Sequence, residues 1–236
     1  MEERKIVQFK KDELKVKEYI KRSLGKGRVS NVRIEYTPVG EKIIVSTNKP
    51  GLVIGRKGEK IDELTRTLKR RFKLENPHID IFEIKKMEFD AQLIADEIAM
   101  GLERLGPLKF KIIAYKTLQR IIDAGALGVE LKLSGKLPSS RAKTWRFSYG
   151  LLKKTGDSAK IVDKAQSTAQ TKPGTVGIKV SILAPGAVFK DRIDVNEEMI
   201  ATIEKGIIDR EIENQESQKK SPKKSKVSKS KGAKQN

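Results

Sequence analysis

Two glycines enclose two basic residues at Gly55-Arg56-Lys57-Gly58, and the apolar pair Val53-Ile54 precedes them. Glycine lacks a Cβ atom, so it adopts backbone angles closed to other residues and lets another backbone approach closely. A helix that begins at this loop would point free N–H groups and its positive dipole end toward an incoming anion. The residue types and their spacing therefore predict a loop that binds phosphate groups.

Basic side chains continue beyond the loop. Ile61, Leu64, Leu68 and Phe72 recur at helical spacing, which predicts a helix with one buried side. The opposite side carries cations that we expect to lie near the same phosphates. The predicted RNA-binding residues are Gly55, Arg56, Lys57, Gly58, Lys60, Arg66, Lys69 and Arg70.

Residues suited to catalysis or metal binding are scarce. The chain has one histidine, His78, and no cysteine, which excludes disulfides and thiolate metal sites. Neither a GxxxxGK[ST] nor an HExxH pattern occurs. We expect Asp96 and Glu97 to form the solvent face of a helix. The sequence predicts no catalytic residue, no metal and no cofactor.

The charge balance indicates a polyanionic partner. The formal net charge is +20 over 236 residues, and residues 1–190 keep most of it even after the lysine-rich end is set aside. Residues 191–216 are acidic, whereas residues 217–236 hold eight lysines and no acid. No stretch approaches the roughly 20 apolar residues of a membrane helix, and Met1-Glu2-Glu3 starts no signal peptide. We therefore expect a cytoplasmic protein without a membrane partner.

The elements around the loop form a small α+β pattern. A helix is predicted over 11–24, strands around Ile34 and Ile44, a helical turn after Pro50, the helix after Gly58, and a strand through Ile79 and Ile81. This α-β-β-α-α-β order predicts one domain over residues 1–88.

The second half predicts another α+β domain over residues 89–190, with two helices packed on a mostly antiparallel sheet. The helices run through Ile94 to Leu105 and Ile113 to Ile122. Strands are predicted at 129–133, 147–151 and 176–182, with a weaker candidate at 162–171. Residues 191–216 predict an acidic amphipathic helix, and residues 217–236 a disordered basic tail.

The loop and its surroundings resemble the GXXG loop of KH domains, which clamps nucleic-acid backbone. The α-β-β-α-α-β order is that of the type II variant. The whole chain resembles the family of the third protein of the small ribosomal subunit, in its archaeal and eukaryotic form. The second-domain segments that carry this resemblance are Gly128-Val129-Glu130, Ser134-Gly135-Lys136-Leu137, Arg141-Ala142-Lys143, Gly156-Asp157 and Gly177-Ile178-Lys179-Val180.

This resemblance implies a structural constituent of the small-subunit head, present as a single copy in the cytoplasmic ribosome. Its expected partners are small-subunit ribosomal RNA, messenger RNA and neighbouring ribosomal proteins. Basic residues near the start of the second sheet would line the messenger entry channel. They correspond here to Lys136, Arg141, Lys143 and Arg146, although a basic hairpin that touches only ribosomal RNA fits them equally well.

Two other functions stay open from the sequence. A free KH protein acting in RNA maturation would share the same chemistry. The resemblance also implies a second activity, because relatives in eukaryotes are associated with a DNA lyase activity. A lysine amine could support that reaction by forming a Schiff base. Trp145, Phe147 and Tyr149 could stack on bases, but their strand alternation favours a place in the core.

Overall fold

The computed structural model describes residues 2–38, 40–72 and 74–189. Its first half contains three helices and three strands in the predicted order. These are α1 (Glu2–Leu24), β1 (Val32–Thr37), β2 (Gly40–Thr47), α2 (Pro50–Ile54), α3 (Glu59–Phe72) and β3 (His78–Glu83). A 3-10 turn, Arg56–Gly58, joins α2 to α3.

The first sheet places β2 in the centre, antiparallel to β1 and parallel to β3. Val45 lies opposite Val32 on one side and Ile81 on the other, so apolar side chains align across the strands. The helices cover this face and bury one cluster. Its buried members are Val16, Ile20, Leu24, Val29, Val32, Ile43, Val45, Val53, Leu64 and Leu68.

Helix α1 begins at Glu2, so the predicted start at residue 11 is wrong. Its first half is exposed and lacks the buried stripe on which the prediction depended. Side chains one turn apart support it instead: Gln8 Nε2 donates to Asp12 Oδ2 at 3.3 Å, and Lys10 Nζ lies 2.8 Å from Glu13 Oε2. Phe9 also packs against Tyr36, with 4.9 Å between ring centroids.

The second half contains two helices and four strands. These are α4 (Ala91–Leu105), α5 (Phe110–Asp123), β4 (Gly128–Gly135), β5 (Lys143–Gly150), β6 (Asp163–Thr171) and β7 (Gly174–Leu183). The strand order is β5-β4-β7-β6, and every neighbouring pair is antiparallel. The predicted α+β fold, with two helices on an antiparallel sheet, is confirmed.

The two faces of this second sheet differ in chemistry. Inward side chains meet α4 and α5 in one apolar core, because alternate strand residues point to the same face. The largest fully buried side chains of this core are Ile94, Ile98, Leu102, Phe110, Ile121, Leu131, Leu133, Leu137 and Ile178. The outward face carries polar and charged side chains, except for the buried Leu183 at one end of β7.

The aromatic residues of β5 mostly join the core. Phe147 is buried and contacts Tyr115 edge to face at 5.0 Å, and Trp145 packs at 5.4 Å from Phe110. Tyr149 is 51% exposed, so the expectation of burial is wrong for this residue alone among the three. Tyr149 lies one residue before the end of β5, which is an edge strand of the sheet.

The loop between α1 and β1 contacts helix α4 of the second half. Both halves belong to one compact unit that ends at Val188. Gly27 N–H donates to Asp96 Oδ2 at 3.0 Å, and Lys26 Nζ lies 3.1 Å from Glu103 Oε1. Asp96 is 7% exposed, so its predicted place on a solvent face is wrong. Helical periodicity could not reveal that the other half of the molecule covers this side of α4.

The predicted acidic helix at 191–216 and the predicted tail at 217–236 lie outside the described residues. The domain boundaries after residues 88 and 190 stay predictions. Within the described ranges, no helix has the length and apolar character needed to cross a membrane.

Candidate nucleic-acid interface

The loop after α2 depends on its first glycine for its shape. Gly55 has φ 76° and ψ −174°, a region that is essentially restricted to glycine, and its N–H donates to Gly51 O at 3.1 Å. A Cβ atom at Gly55 would lie 2.8 Å from Lys60 Cγ. Backbone geometry and the packing of Lys60 therefore both require glycine here.

The second glycine plays a different part. Gly58 has φ 84°, in the left-handed region, and a Cβ added to it would meet no atom within 4 Å. Lys57 is also left-handed, with φ 53°. The chain thus turns sharply before α3 and leaves open space above Gly58, which a phosphate group could enter.

A groove runs from this loop along α3. It has a volume of about 1000 Å³ and is lined by Arg56, Lys57, Glu59, Asp62, Glu63, Arg66, Thr67, Arg70 and Arg71. The structure therefore brings four predicted cations together: Arg56, Lys57, Arg66 and Arg70. Lys60 instead lies over Gly55, with its Nζ 3.4 Å from Leu52 O, and Lys69 is exposed outside the groove lining.

Sequence reasoning missed two features of this groove. Arg71 is a fifth cation, and its guanidinium carbon lies 5.2 Å from the Tyr19 ring centroid, which ties the end of α3 to α1. Glu59, Asp62 and Glu63 add three carboxylates to the first turns of α3. These acids neutralise part of the field of the cations and of the helix dipole, and they were visible in the sequence as a cluster after Gly58.

The hairpin between β4 and β5 carries three of the predicted messenger-channel residues. Lys136, Arg141 and Lys143 are all exposed. Leu137, fully buried between them, anchors the hairpin, and its carbonyl accepts a hydrogen bond from Trp145 Nε1 at 3.4 Å. The structure thus presents these three cations on one anchored hairpin.

Arg146, the fourth candidate, lies on the outward face of the sheet and pairs with Glu130. Lys154 Nζ and Lys132 Nζ lie 3.0 and 3.3 Å from the same carboxylate. Burial would raise the pKa of Glu130, but the hydrogen bonds from Lys154 and Lys132 outweigh it, so its pKa lies below the usual range. Because successive strand residues point to opposite faces, the sequence could have predicted that Arg146 and Trp145 lie on opposite faces of β5.

Two of the residues considered for catalysis take part in side-chain pairs with charged residues. His78 is exposed and its Nε2 lies 2.9 Å from Asp80 Oδ1, while Glu97 pairs with Arg120. Across the described part of the chain, no three His, Cys, Asp or Glu side chains form a group that could hold a metal ion.

Comparison with protein families defines the class of this molecule. Residues 15–89 match the family model described as "KH domain", so the Gly55–Gly58 loop belongs to a KH-type domain. Residues 98–182 match the model described as "Ribosomal protein S3, C-terminal domain".

Two curated relatives that cover most of the chain are archaeal proteins named "Small ribosomal subunit protein uS3". The protein of Methanocaldococcus jannaschii is 40% identical over 199 residues, which are 84% of this chain and 95% of that protein. The protein of Methanosphaera stadtmanae is 37% identical over 214 residues, which are 89% and 84% of the two chains. This chain therefore belongs to the ribosomal protein S3 family.

Proposed function

We propose that this chain is a structural component of the cytoplasmic small ribosomal subunit and binds ribosomal RNA through the Gly55–Gly58 loop. Its likeness to archaeal small-subunit proteins along most of their length supports a place in the ribosome. Family membership favours a structural over a catalytic role and over a free KH factor. The observation that carries the loop mechanism is the open space above Gly58 beside the exposed cations Arg56 and Lys57.

The physical account rests on phosphate contacts. Arg56 and Lys57 are exposed cations at the start of α3, where free N–H groups also attract anions. Arg66 and Arg70 extend the positive charge along the same groove, and Lys60 and Lys69 add charge nearby. A sugar-phosphate strand that crosses the loop would therefore follow α3 and contact several cations in turn.

We further propose that Lys136, Arg141 and Lys143 face messenger RNA at the entry channel. The support is their exposure on one anchored hairpin, which keeps them clear of the core. The resemblance includes Arg146 among these candidates, and its pairing with Glu130 leaves it 53% exposed on the outward sheet face. We propose single-copy association with ribosomal RNA and neighbouring small-subunit proteins.

The test of the loop mechanism is the double substitution Arg56→Asp with Lys57→Asp. Aspartate tolerates the left-handed backbone at position 57, so the fold should survive. We expect RNA affinity to fall roughly tenfold or more at ~0.1 M salt, because two phosphate contacts become repulsions, while the melting temperature stays nearly unchanged. Filter binding to a small-subunit ribosomal RNA transcript measures the first quantity.

The matched control is Lys85→Asp with Lys86→Asp, an adjacent exposed basic pair in the loop after β3. It changes the net charge by the same amount at a site outside the groove. Equal losses in both double variants would mean that only net charge matters, and an unchanged affinity in the loop variant would remove the loop from the mechanism.

A further inference from the structure

The outward face of the second sheet is polar throughout and strongly basic. Apart from Leu183, which is buried at one end of β7, its outward positions hold only charged residues, Ser, Thr, Gln and Gly. The charged side chains on this face and at its edge are Lys132, Arg146, Lys154, Lys164, Lys179 and Glu130. This region thus has five cations and one carboxylate, and three of the cations pair with that carboxylate.

Strand register aligns three of these cations in a row. Arg146 on β5 lies opposite Lys132 on β4, and Lys132 lies opposite Lys179 on β7. Neighbouring strands are about 4.8 Å apart, so the row presents positive charge at closely spaced steps across the sheet. Like charges directly opposite each other destabilise a sheet, and ion pairs with Glu130 offset this for Lys132 and Arg146 but not for Lys179.

Glu130 compensates only part of this charge. It takes ion pairs from Lys132, Arg146 and Lys154, and its side chain is 5% exposed beneath them. The three cations stay between 42% and 53% exposed, so they can still reach a ligand. Among the described residues, Lys179 has no acidic partner within ion-pair distance, and its side chain is exposed.

This face is more basic than the groove beside the Gly55–Gly58 loop. The groove has five cations against three carboxylates, whereas the face has five against one. Lys179 also lines a cleft that reaches the end of α1, where Lys21, Arg22 and Lys26 lie with the carboxylates of Glu18 and Asp96.

We propose that the outward face of the β5-β4-β7-β6 sheet is a second RNA-binding surface, which contacts backbone phosphates without reading bases. Hydroxyl and amide side chains beside the cations suit contacts to phosphate and sugar oxygens. The outward positions offer no aromatic ring on which bases could stack, and no apolar centre of the kind found in protein interfaces. The choice of ribosomal RNA as ligand rests on the proposed function, whereas the surface itself is distinct from the KH loop.

The first experiment neutralises two cations of the row in the full chain, as Lys132→Gln with Lys179→Gln. The matched control is Lys85→Gln with Lys86→Gln, which removes the same charge from the loop after β3. We measure the affinity for a small-subunit ribosomal RNA transcript between roughly 0.05 and 0.3 M salt, the range in which counterion release is resolved. The slope of log affinity against log salt should become shallower by about 1.4 to 1.8 in the sheet variant, with a loss of roughly tenfold or more near 0.1 M, since each lost phosphate contact changes the slope by about 0.7 to 0.9.

Two controls distinguish loss of RNA binding at this surface from unfolding and from loss of binding at the KH loop. Replacing both opposed lysines removes their mutual repulsion and also one of the three ion pairs of Glu130, so the two effects offset each other. The melting temperature should therefore change little, and lost binding would not reflect unfolding. Combining the sheet variant with Arg56→Asp and Lys57→Asp should add the two losses, because distant independent sites are additive. A loss in the sheet variant alone would support this surface and reject the loop, and the reverse result would reject this surface.

A second experiment locates the RNA directly. The chain has no cysteine, so Ser148→Cys, at an exposed outward position opposite Glu130, gives a single attachment point for an iron chelate that cleaves nearby RNA. We expect strand cleavage of the bound transcript from this position. Absence of cleavage, together with an unchanged salt slope, would overturn the proposal and would leave an acidic protein as the occupant of the face.

Discussion

Gly55 and Gly58 bound the same loop, yet different neighbours constrain them. Gly55 is restricted by its own backbone angles and by the stem of Lys60, whereas Gly58 is restricted only by its positive φ and faces open space. The first glycine therefore serves the fold, and the second leaves room for a ligand.

This difference predicts unequal effects of alanine. We expect Gly55→Ala to lower the free energy of unfolding by about 1–3 kcal/mol, and Gly58→Ala to cost less because its added methyl group meets no atom. The order should reverse for RNA affinity per folded molecule, since the methyl group at Gly58 occupies space proposed for phosphate. Denaturant unfolding and filter binding measure the two quantities, and equal unfolding losses would contradict this explanation.

Residue types alone predicted some of the site. The glycine pair was recognisable because few other residues adopt such backbone angles, and Arg66 and Arg70 followed from helical spacing. The buried state of Asp96 was not predictable, because its acceptor role depends on a backbone N–H donated from the other half of the molecule. Lys69 shares a helix with the groove cations but lies outside their lining, a difference of side-chain direction that composition does not reveal.

At the scale of elements, β4 carries an acid on an otherwise basic face. Glu130 is nearly buried there because three cationic side chains cover it. A carboxylate in this place is stabilised in its charged form, and its lowered pKa links the stability of the sheet to pH.

The pH dependence has a definite direction. A lowered folded-state pKa contributes stability above the unfolded value of about 4.3, and this contribution disappears as pH falls through the folded-state pKa. We expect Glu130→Gln to lose about 1–2 kcal/mol at pH 7 and to approach the parent protein once the pH lies below the folded-state pKa. Denaturant unfolding at several pH values measures this, with Glu75→Gln, exposed in a loop, as control. A difference independent of pH would contradict the ion-pair explanation.

Strands were predictable where inward and outward side chains contrast strongly, as in β4 and β7. The weaker signal of β6 has a physical cause: its inward positions include the small residues Ala165 and Ala169, which lie in the core with α4 and give little apolar contrast. The order of strands in each sheet depends on contacts between distant segments, which local periodicity does not contain.

At the scale of the whole molecule, the two halves meet through the loop between α1 and β1. Gly27 is left-handed with φ 73°, and a Cβ there would lie 2.4 Å from Met100 Cε. Its N–H donates to Asp96, which also accepts from Gln92 Nε2 at 3.1 Å. This contact fixes the first half against α4.

Removing the acceptor should weaken this junction. We expect Asp96→Ala to lower the free energy of unfolding by about 1–3 kcal/mol, because the Gly27 N–H would be left without its partner. Asp96→Asn keeps a side-chain oxygen and serves as the matched variant, with a smaller loss. Calorimetry should show broader melting for the alanine variant, and identical behaviour of the two variants would indicate that the hydrogen bond contributes nothing.

The high net charge predicted a polyanionic partner for the whole molecule, but it could not tell which surface meets that partner. Most of the excess lysine and arginine is spread over both halves, and only the folded register places Arg146, Lys132 and Lys179 side by side. The pairing of strands determines where the charges lie, and composition carries no information about that pairing.

The outer strands of the second sheet have a consequence for newly made chains. β5 and β6 end the sheet on its two sides, and both carry lysine or arginine, including Lys143 and Lys164. Two copies that approached edge to edge would bring these like charges together, which opposes intermolecular strand pairing. The free chain should therefore resist aggregation through these edges and stay monomeric in solution.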